Sequence, residues 1–542
     1  MSLNTQKSSN FDTLLNTFLI MVFITLVSVT VIIRIRTLNV PIDRDVGEYA
    51  YAGQLMLQGV PPYLSAYNMK MPGIYAAYAI ILACFGQTTS GIHTAILLIN
   101  TATILLLFFL TKKLFGPIAG VACAVFFAIT SISNPVQATA NAENFVVLPA
   151  IAGIILLMNF ADSKRYLSLV TAGLLLGIAF MMKQHGAGFI LFGLFFLLWK
   201  QISQKPLNWR RLISVILVYS LAMLLPFLIT CLILWYCGAF EKFWFWTFKY
   251  AHQYISLLTL ETGLRSLKYV LGLLVPSALF IWLSALLGLL SIIWNREIRR
   301  HSAFLVGFLI CSFLSLCPGF YFRNHYFVLF MPALAIMAAA GVIAIRDLLG
   351  LGIKSTAQTS FISILIVLAI WLQSFYSQKS YLMESDPVKV SRINFHIEPF
   401  PESLPIADYI KNHSSSTDKI VVLGSEPQIY FYSQRRSATS YIYVFPLMEQ
   451  QSYAADMQRE MISQIEANKP KFIVFVKFYS SWGIQQESEK ILFDWIPSYL
   501  SSYYQLVGLA EALTEDETLY HWDSSDTPSK EDGWVMIWKR ND

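Results

Sequence analysis

The densest grouping of reactive side chains lies between residues 41 and 73. It reads Pro41-Ile-Asp43-Arg44-Asp45-Val-Gly47-Glu48-Tyr49-Ala-Tyr51, continues through Gln54 and Gly59-Val-Pro61-Pro62-Tyr63, and closes on Asn68-Met-Lys70-Met-Pro72-Gly73. Three carboxylates, two cations and several aromatics thus adjoin a long apolar stretch. On a helix beginning near Asp45, residues Asp45, Glu48 and Tyr49 share a face through i, i+3 and i+4 spacing. A carboxylate half shielded by aromatics and lipid headgroups has its pKa lifted toward that of a general base. A plainer reading gives Asp45 a capping role and pairs Glu48 with Arg44, because acidic residues are common at helix starts.

The elements that position these groups are apolar. Of 542 residues, 56% are hydrophobic and 13% charged, with a mean hydropathy of +0.55, whereas soluble domains carry about a quarter charged residues. The class is therefore an integral membrane protein. The net charge of +6 is spread as short Lys/Arg clusters between apolar runs, a pattern of membrane topology that excludes a nucleic-acid partner. The six cysteines lie in or at the ends of apolar segments and show neither zinc spacing nor a disulfide framework.

Eleven spans are expected, at 13–34, 92–111, 117–133, 144–160, 166–182, 187–199, 212–236, 267–293, 302–318, 327–345 and 357–376. The first is read as uncleaved, being longer than a signal-peptide core and followed by no small-residue cleavage site. Residues 72–85 are too few to cross and are expected to form an interfacial helix. The positive-inside rule places Lys112, Lys113, Lys164, Arg165, the 200–211 run, Arg296, Arg299, Arg300 and Arg346 in the cytoplasm with the N-terminus. Loops 35–91, 134–143, 183–186, 237–266 and 319–326 then face outward. Arg34, Arg36, Arg44, Lys70, Lys183 and Arg323 break the rule, and cations kept on that side invite a functional explanation. The aromatic run Phe240–Tyr254, with His252, reads as an interfacial belt.

Near residue 378 the composition turns to mixed charge, with strand-like runs at Lys419–Leu423, Phe472–Val476 and Trp534–Trp538 between helical patterns. The expected architecture is a polytopic α-helical membrane domain, residues 1–377 with its long first loop at 35–91, followed by an extracytoplasmic α/β domain at 378–542. No internal repeat suggests an inverted-repeat transporter.

The pattern Asp-x-Asp-x-Gly-x-Tyr-x-Tyr, then Gly-x-x-Pro-Tyr, then Lys-x-Pro-Gly before an apolar helix, resembles the first external loop of the GT-C membrane glycosyltransferases. The resemblance is greatest to the bacterial relatives of protein O-mannosyltransferases and of the aminoarabinose transferase that modifies lipid A. It continues through Leu114-Phe115-Gly116, Lys183-Gln-His-Gly186, Phe320-Tyr-Phe-Arg323-Asn-His325-Tyr326, Gly424-Ser-Glu-Pro-Gln-Ile-Tyr430-Phe and Ser437-Ala-Thr-Ser440-Tyr, nearly the whole chain.

The resemblance implies an inverting transfer of a sugar from a polyprenyl-phosphate-linked donor to a hydroxyl of a glycolipid, polysaccharide or protein acceptor. The reaction would take place at the outer face of a bacterial plasma membrane. By position the base falls on Asp45, with Asp43 beside it; relatives carry Asp-Glu-Gly where this chain has Asp45-Val-Gly47-Glu48, so the second acid is displaced. A further acidic position falls on Glu143, which by itself reads more simply as a solvated loop acid. Lys70, Lys183, Arg323 and His325 are the candidates to stabilise charge on the departing phosphate. A lone ammonium between two apolar helices is costly, so Lys183 is expected to have a partner. Some relatives bind a metal through a glutamate preceding the Lys-x-Pro motif; Met69 holds that place here, and no metal or other cofactor is inferred.

Two rivals remain. A transporter or flippase of lipid-linked sugars would place ionisable groups within its spans, but the acids here gather in loops. A membrane-anchored binding protein would work through the C-terminal domain, which offers Asp408, Glu426, Arg435 and Arg436 but no phosphate loop or nucleophile triad.

Overall fold

In the computed structural model, which describes residues 2–136, 139–515 and 517–541 (2–12 by backbone alone), the acidic run forms a helix, Arg44–Leu57. Asp43 caps it, with Oδ1 accepting from the Val46 amide at 3.0 Å. A second helix, Pro72–Phe85, starts on proline, whose fixed φ suits a first helical turn and whose missing N–H is not needed there. Gly47 of the first helix is dictated by packing: a Cβ would stand 2.6 Å from the Gln428 backbone nitrogen.

Among the described residues seven helices are long and apolar enough to cross a membrane: Thr13–Arg36, Thr89–Phe115, Ala142–Ser163, Gln184–Ile202, Trp209–Tyr236, Met331–Leu349 and Thr356–Ser377. The stretch expected as one span at 267–293 is a bent pair, Leu260–Ser277 and Leu279–Ser291, turned by 101°; counted as one span it brings the number to eight. The other three expected spans fall on helices of 13 to 17 residues, Pro117–Thr130, Tyr166–Met182 and Ser302–Leu314. At 1.5 Å per residue these reach about 20–25 Å, short of a hydrocarbon core about 30 Å thick.

The chain forms two compact units, each discontinuous in sequence. The first comprises Met1–Arg36, Ala95–Ile229 and Leu258–Glu384 and is helical. Close helix approach organises it: at Gly341 a Cβ would lie 2.0 Å from the Ser284 carbonyl oxygen, and the Ser284 hydroxyl donates to the Ala338 carbonyl at 2.8 Å. Small residues at such crossings replace the hydrophobic drive that lipid cannot supply.

The second unit gathers Thr37–Thr94, Thr230–Leu257 and Ser385–Asp542. The compact units therefore differ from a division at 377/378, because the long first loop packs with the C-terminal region. Among the described residues its sheet has six strands: β1 Lys419–Leu423, β2 Arg436–Ser437, β3 Phe472–Lys477, β4 Tyr504–Ala512, β5 Thr518–Trp522 and β6 Trp534–Arg540. Their order is β2-β1-β3-β6-β4-β5. β1 pairs in parallel with β2 and β3, and the remaining pairings are antiparallel. Four of the five β1 residues are buried, as a strand covered on both faces requires. The expected belt is corrected in part: Phe243, Trp246 and Tyr250 are buried inside this unit, with the Tyr250 hydroxyl donating to Glu449.

Candidate functional site

In the second unit the first loop builds an acid–cation pair. The Lys70 ammonium lies 3.4 Å from Asp45 Oδ2, with both side chains slightly exposed at 16% and 13%. Tyr443 donates to Asp45 Oδ1 at 3.3 Å. Lys70 also sits over the Tyr49 ring, 5.6 Å from its centroid.

Behind this pair Glu48 is fully buried. It does not pair with Arg44, as the plainer reading had it. Its Oε1 accepts from Tyr75 at 2.6 Å and its Oε2 from Asn68 at 2.7 Å. Burial pushes its pKa up to about 8; Lys70 pulls against that rise and Asp45 adds to it. Burial therefore works against its charged form, and its contact with Asn68 fixes the loop two residues before Lys70. Tyr63 holds the same loop from the other side, its hydroxyl donating to the Lys70 carbonyl at 2.6 Å. Tyr63 has φ +68° and is fully buried. A left-handed backbone at a bulky residue persists only where its surroundings over-determine it.

The helix carrying these acids is fastened within its unit by groups the C-terminal motifs supply. Arg44 reaches Glu398 at 2.6 Å and Glu426 at 3.0 Å. Burial alone would lower the Arg44 pKa, but the two carboxylates reverse that and keep it charged. The Tyr51 hydroxyl accepts from the Ser437 amide at 2.8 Å and the Tyr432 hydroxyl from the Ile42 amide at 3.0 Å. Asp43 is the capping acid, so the capping role expected of Asp45 falls one position outside the helix. Arg435 is occupied by the Lys411, Ser414 and Ser433 carbonyls and is structural.

In the first unit Glu143 occupies the first turn of Ala142–Ser163 and is fully buried. The reading as a solvated loop acid is corrected. The Lys183 ammonium bonds Glu143 Oε1, so the partner expected for Lys183 is present. His325 Nε2 lies 3.8 Å from the same oxygen, and Lys183 sits 4.1 Å from the Tyr326 ring centroid. Glu143 Oε2 has no hydrogen-bond partner among the described residues. Residues 137 and 138 of the loop leading to Glu143 lie outside the described residues. Arg323 is half-buried beside the Tyr321 ring, 5.5 Å from its centroid. The backbone around it is strained: Phe320 and Phe322 have φ +58° and +43°, and such outliers cluster where function fixes the chain.

Four supporting residues, Tyr63, Asn68, Tyr75 and Tyr443, were not singled out from sequence for these roles. The only available signal was the number of aromatics near the acids. Among the described residues no three His, Cys, Asp or Glu side chains group as a metal ion requires.

Residues 69–230 match a family model described as dolichyl-phosphate-mannose-protein mannosyltransferase. A protein provisionally named a mannosyltransferase, YycA of Bacillus subtilis (strain 168), is 28% identical over 156 residues, covering 28% of this chain and 23% of that protein. The match thus spans under a quarter of that relative's length. The ArnT crystal structure from Cupriavidus metallidurans bound to undecaprenyl phosphate superposes with a TM-score of 0.55 at 14% identity, covering 84% of this chain and 93% of that one. The chain has the GT-C fold. An Archaeoglobus fulgidus oligosaccharyltransferase, solved with Zn and sulfate, extends this GT-C likeness to 94% of the chain and 74% of that one, with a TM-score of 0.51 at 12% identity.

Proposed function

We propose that the protein is an inverting glycosyltransferase that takes a sugar from a polyprenyl-phosphate-linked donor and places it on an acceptor hydroxyl. The observation that carries this reading is the Asp45–Lys70 pair: a partly exposed carboxylate held beside a partly exposed ammonium, in the loop that precedes an apolar helix. The mannosyltransferase family match, which begins at residue 69, and the lipid phosphate named with the ArnT structure support it.

In the proposed step, Asp45 accepts the proton of the acceptor hydroxyl as the oxygen attacks the anomeric carbon. The bond from that carbon to the phosphate oxygen breaks, and its electron pair leaves with the polyprenyl phosphate. One displacement inverts the anomeric centre. Lys70 answers the charge that develops on the leaving phosphate. Lys183 is already committed to Glu143 and acts through it. We place the reaction at the outer face of a bacterial plasma membrane, where the first loop and the C-terminal region together meet the acceptor, a glycolipid, polysaccharide or protein.

The test is transfer from a short-chain polyprenyl-phosphate sugar by the full-length protein in nanodiscs. Wild type should transfer, and Asp45→Asn should lose about 10²–10⁴-fold of the rate, the usual contribution of a general base. Undiminished transfer by the Asn variant would remove Asp45 from the mechanism.

A further inference from the structure

A cavity of about 210 Å³ lies in the second unit, and no step above uses it. Aromatic side chains from three separate stretches line it: Tyr67, Phe245, Trp246, Tyr441 and Tyr453. Phe245 and Trp246 belong to a π-helical turn, Phe245–Tyr250, an irregularity that often accompanies functional sites. The rings brace one another, with Tyr67 5.4 Å from Trp246 and 5.2 Å from Tyr441, and Phe245 5.0 Å from Tyr453.

The polar part of the wall is held in advance. Glu460 accepts from the Tyr441 hydroxyl at 2.7 Å, from Gln464 at 3.1 Å and from the Tyr67 hydroxyl at 3.3 Å, while its side chain keeps 40% of its surface exposed. Lys242 lies 3.8 Å from Glu460 and 4.7 Å from the Tyr67 ring centroid. Burial alone would lower its pKa, but Tyr67 and Glu460 outweigh that and raise it.

We propose that this cavity binds a neutral sugar unit of a glycan acceptor, one that does not itself react. Each charge on the wall already has its counter-ion: Lys242 with Glu460, and Asp456 with Arg459 at 2.9 Å. A cationic ligand would meet Lys242 already seated on the ring face, and an anionic ligand would meet two carboxylates. A polyhydroxylated, uncharged ligand meets flat aromatic faces for its C–H groups, with a fixed carboxylate and an ammonium for its hydroxyls. Pockets of this build, mostly aromatic with a few placed polar groups, are the usual form of small-ligand sites.

The chain also ties the cavity to the acid–cation pair. Tyr67 immediately precedes Asn68, which Glu48 holds, and its own amide donates to the Ser440 carbonyl at 2.7 Å. From Tyr67 to Lys70 is three residues, at most about 10 Å of extended chain. The cavity wall at Tyr67 and the acid–cation pair at Lys70 therefore share one short stretch of chain.

This inference rests on the glycosyl-transfer reading, and the experiment separates the two. Full-length protein in nanodiscs, without donor, is titrated with three neutral trisaccharides (mannotriose, maltotriose and chitotriose), with binding read by saturation-transfer NMR and calorimetry. At least one should bind. Tyr453→Ala and Glu460→Gln, both at partly exposed positions, should weaken it about five-fold or more, a loss of roughly 1 kcal/mol. Thermal melts confirm the fold of each variant, and if Tyr453→Ala melts early, Glu460→Gln decides. Binding by none of the three, or binding that both folded variants leave unchanged, overturns the proposal whether or not transfer occurs. Trisaccharide binding lost in the variants, by a protein that transfers no sugar from any polyprenyl-phosphate donor, leaves the cavity standing and removes the glycosyltransferase reading.

Discussion

Asp45 and Glu143 each meet a lysine, and the two pairs are built differently. Glu143 and Lys183 are both buried, with His325 and Tyr326 packed about them. Asp45 and Lys70 stand 3.4 Å apart and keep contact with the exterior, and behind them a third carboxylate, Glu48, favours its proton. A buried pair in direct contact repays its desolvation only by staying closed. A longer, part-exposed pair can exchange its partner for a substrate at small cost. The first arrangement holds helices in place; the second keeps a carboxylate and an ammonium within reach of the exterior.

That contrast can be broken in steps. The largest effect is expected at Lys183: Lys183→Met strands Glu143 in the interior and should cost about 3–5 kcal/mol of stability, as breaking buried pairs does. Adding Glu143→Gln should restore much of it, as read by thermal melting in detergent. If Lys183→Met melts like wild type and loses only transfer, the structural reading of this pair is wrong.

Lys70→Met should leave the melt nearly unchanged and lower kcat by about 10²–10³-fold, comparable with losing one donor to a developing oxyanion. A large loss of stability instead would make the two pairs alike.

Glu48→Gln tests the protonated carboxylate. Burial raises the folded-state pKa of Glu48 to about 8, whereas an unfolded glutamate titrates near 4.3. Folding therefore favours the protonated form: this contribution to stability is fully present below about pH 4 and is lost as pH rises toward 8. Wild type should lose melting temperature relative to Glu48→Gln between pH 5 and 8, and its transfer rate should show an alkaline limb near pH 8 that the variant lacks. Parallel curves for the two proteins would exclude a buried, protonated Glu48.

Asp43→Asn should change least. Asparagine caps a helix as well as aspartate, so both stability and transfer should stay within a few-fold of wild type. A loss as deep as that of Asp45→Asn would move the base to Asp43.

Much of this was legible in the residues. The acidic run was read as a helix on periodicity, and it begins at Arg44. Three strands were read from short β-branched and aromatic runs, and β1, β3 and β6 start where expected. β4 was missed because its second half, Gly-Leu-Ala-Glu-Ala, carries helix-forming residues whose sheet conformation is imposed by pairing with β5 and β6. β5 was missed because an edge strand of five half-exposed residues shows little hydrophobic pattern. The burial of Glu143 could not be read locally, since its partner lies 40 residues away. The same holds for Glu48: an acid on a helix face looks exposed until Tyr75 and Asn68 close over it. Sequence periodicity reports one element at a time, and these carboxylates are defined by contacts between elements.

The discontinuous second unit has a consequence in time. Asp45 and the Tyr443 hydroxyl that it accepts are 398 residues apart, and Ile42 and Tyr432 are 390 apart. At a synthesis rate of about 5–20 residues per second, the first loop waits on the order of 20–80 s for the residues that hold it. During biogenesis Asp45 and Lys70 leave the ribosome long before the residue that holds Asp45. The contact between Asp45 and Tyr443 therefore forms only once most of the chain has been made.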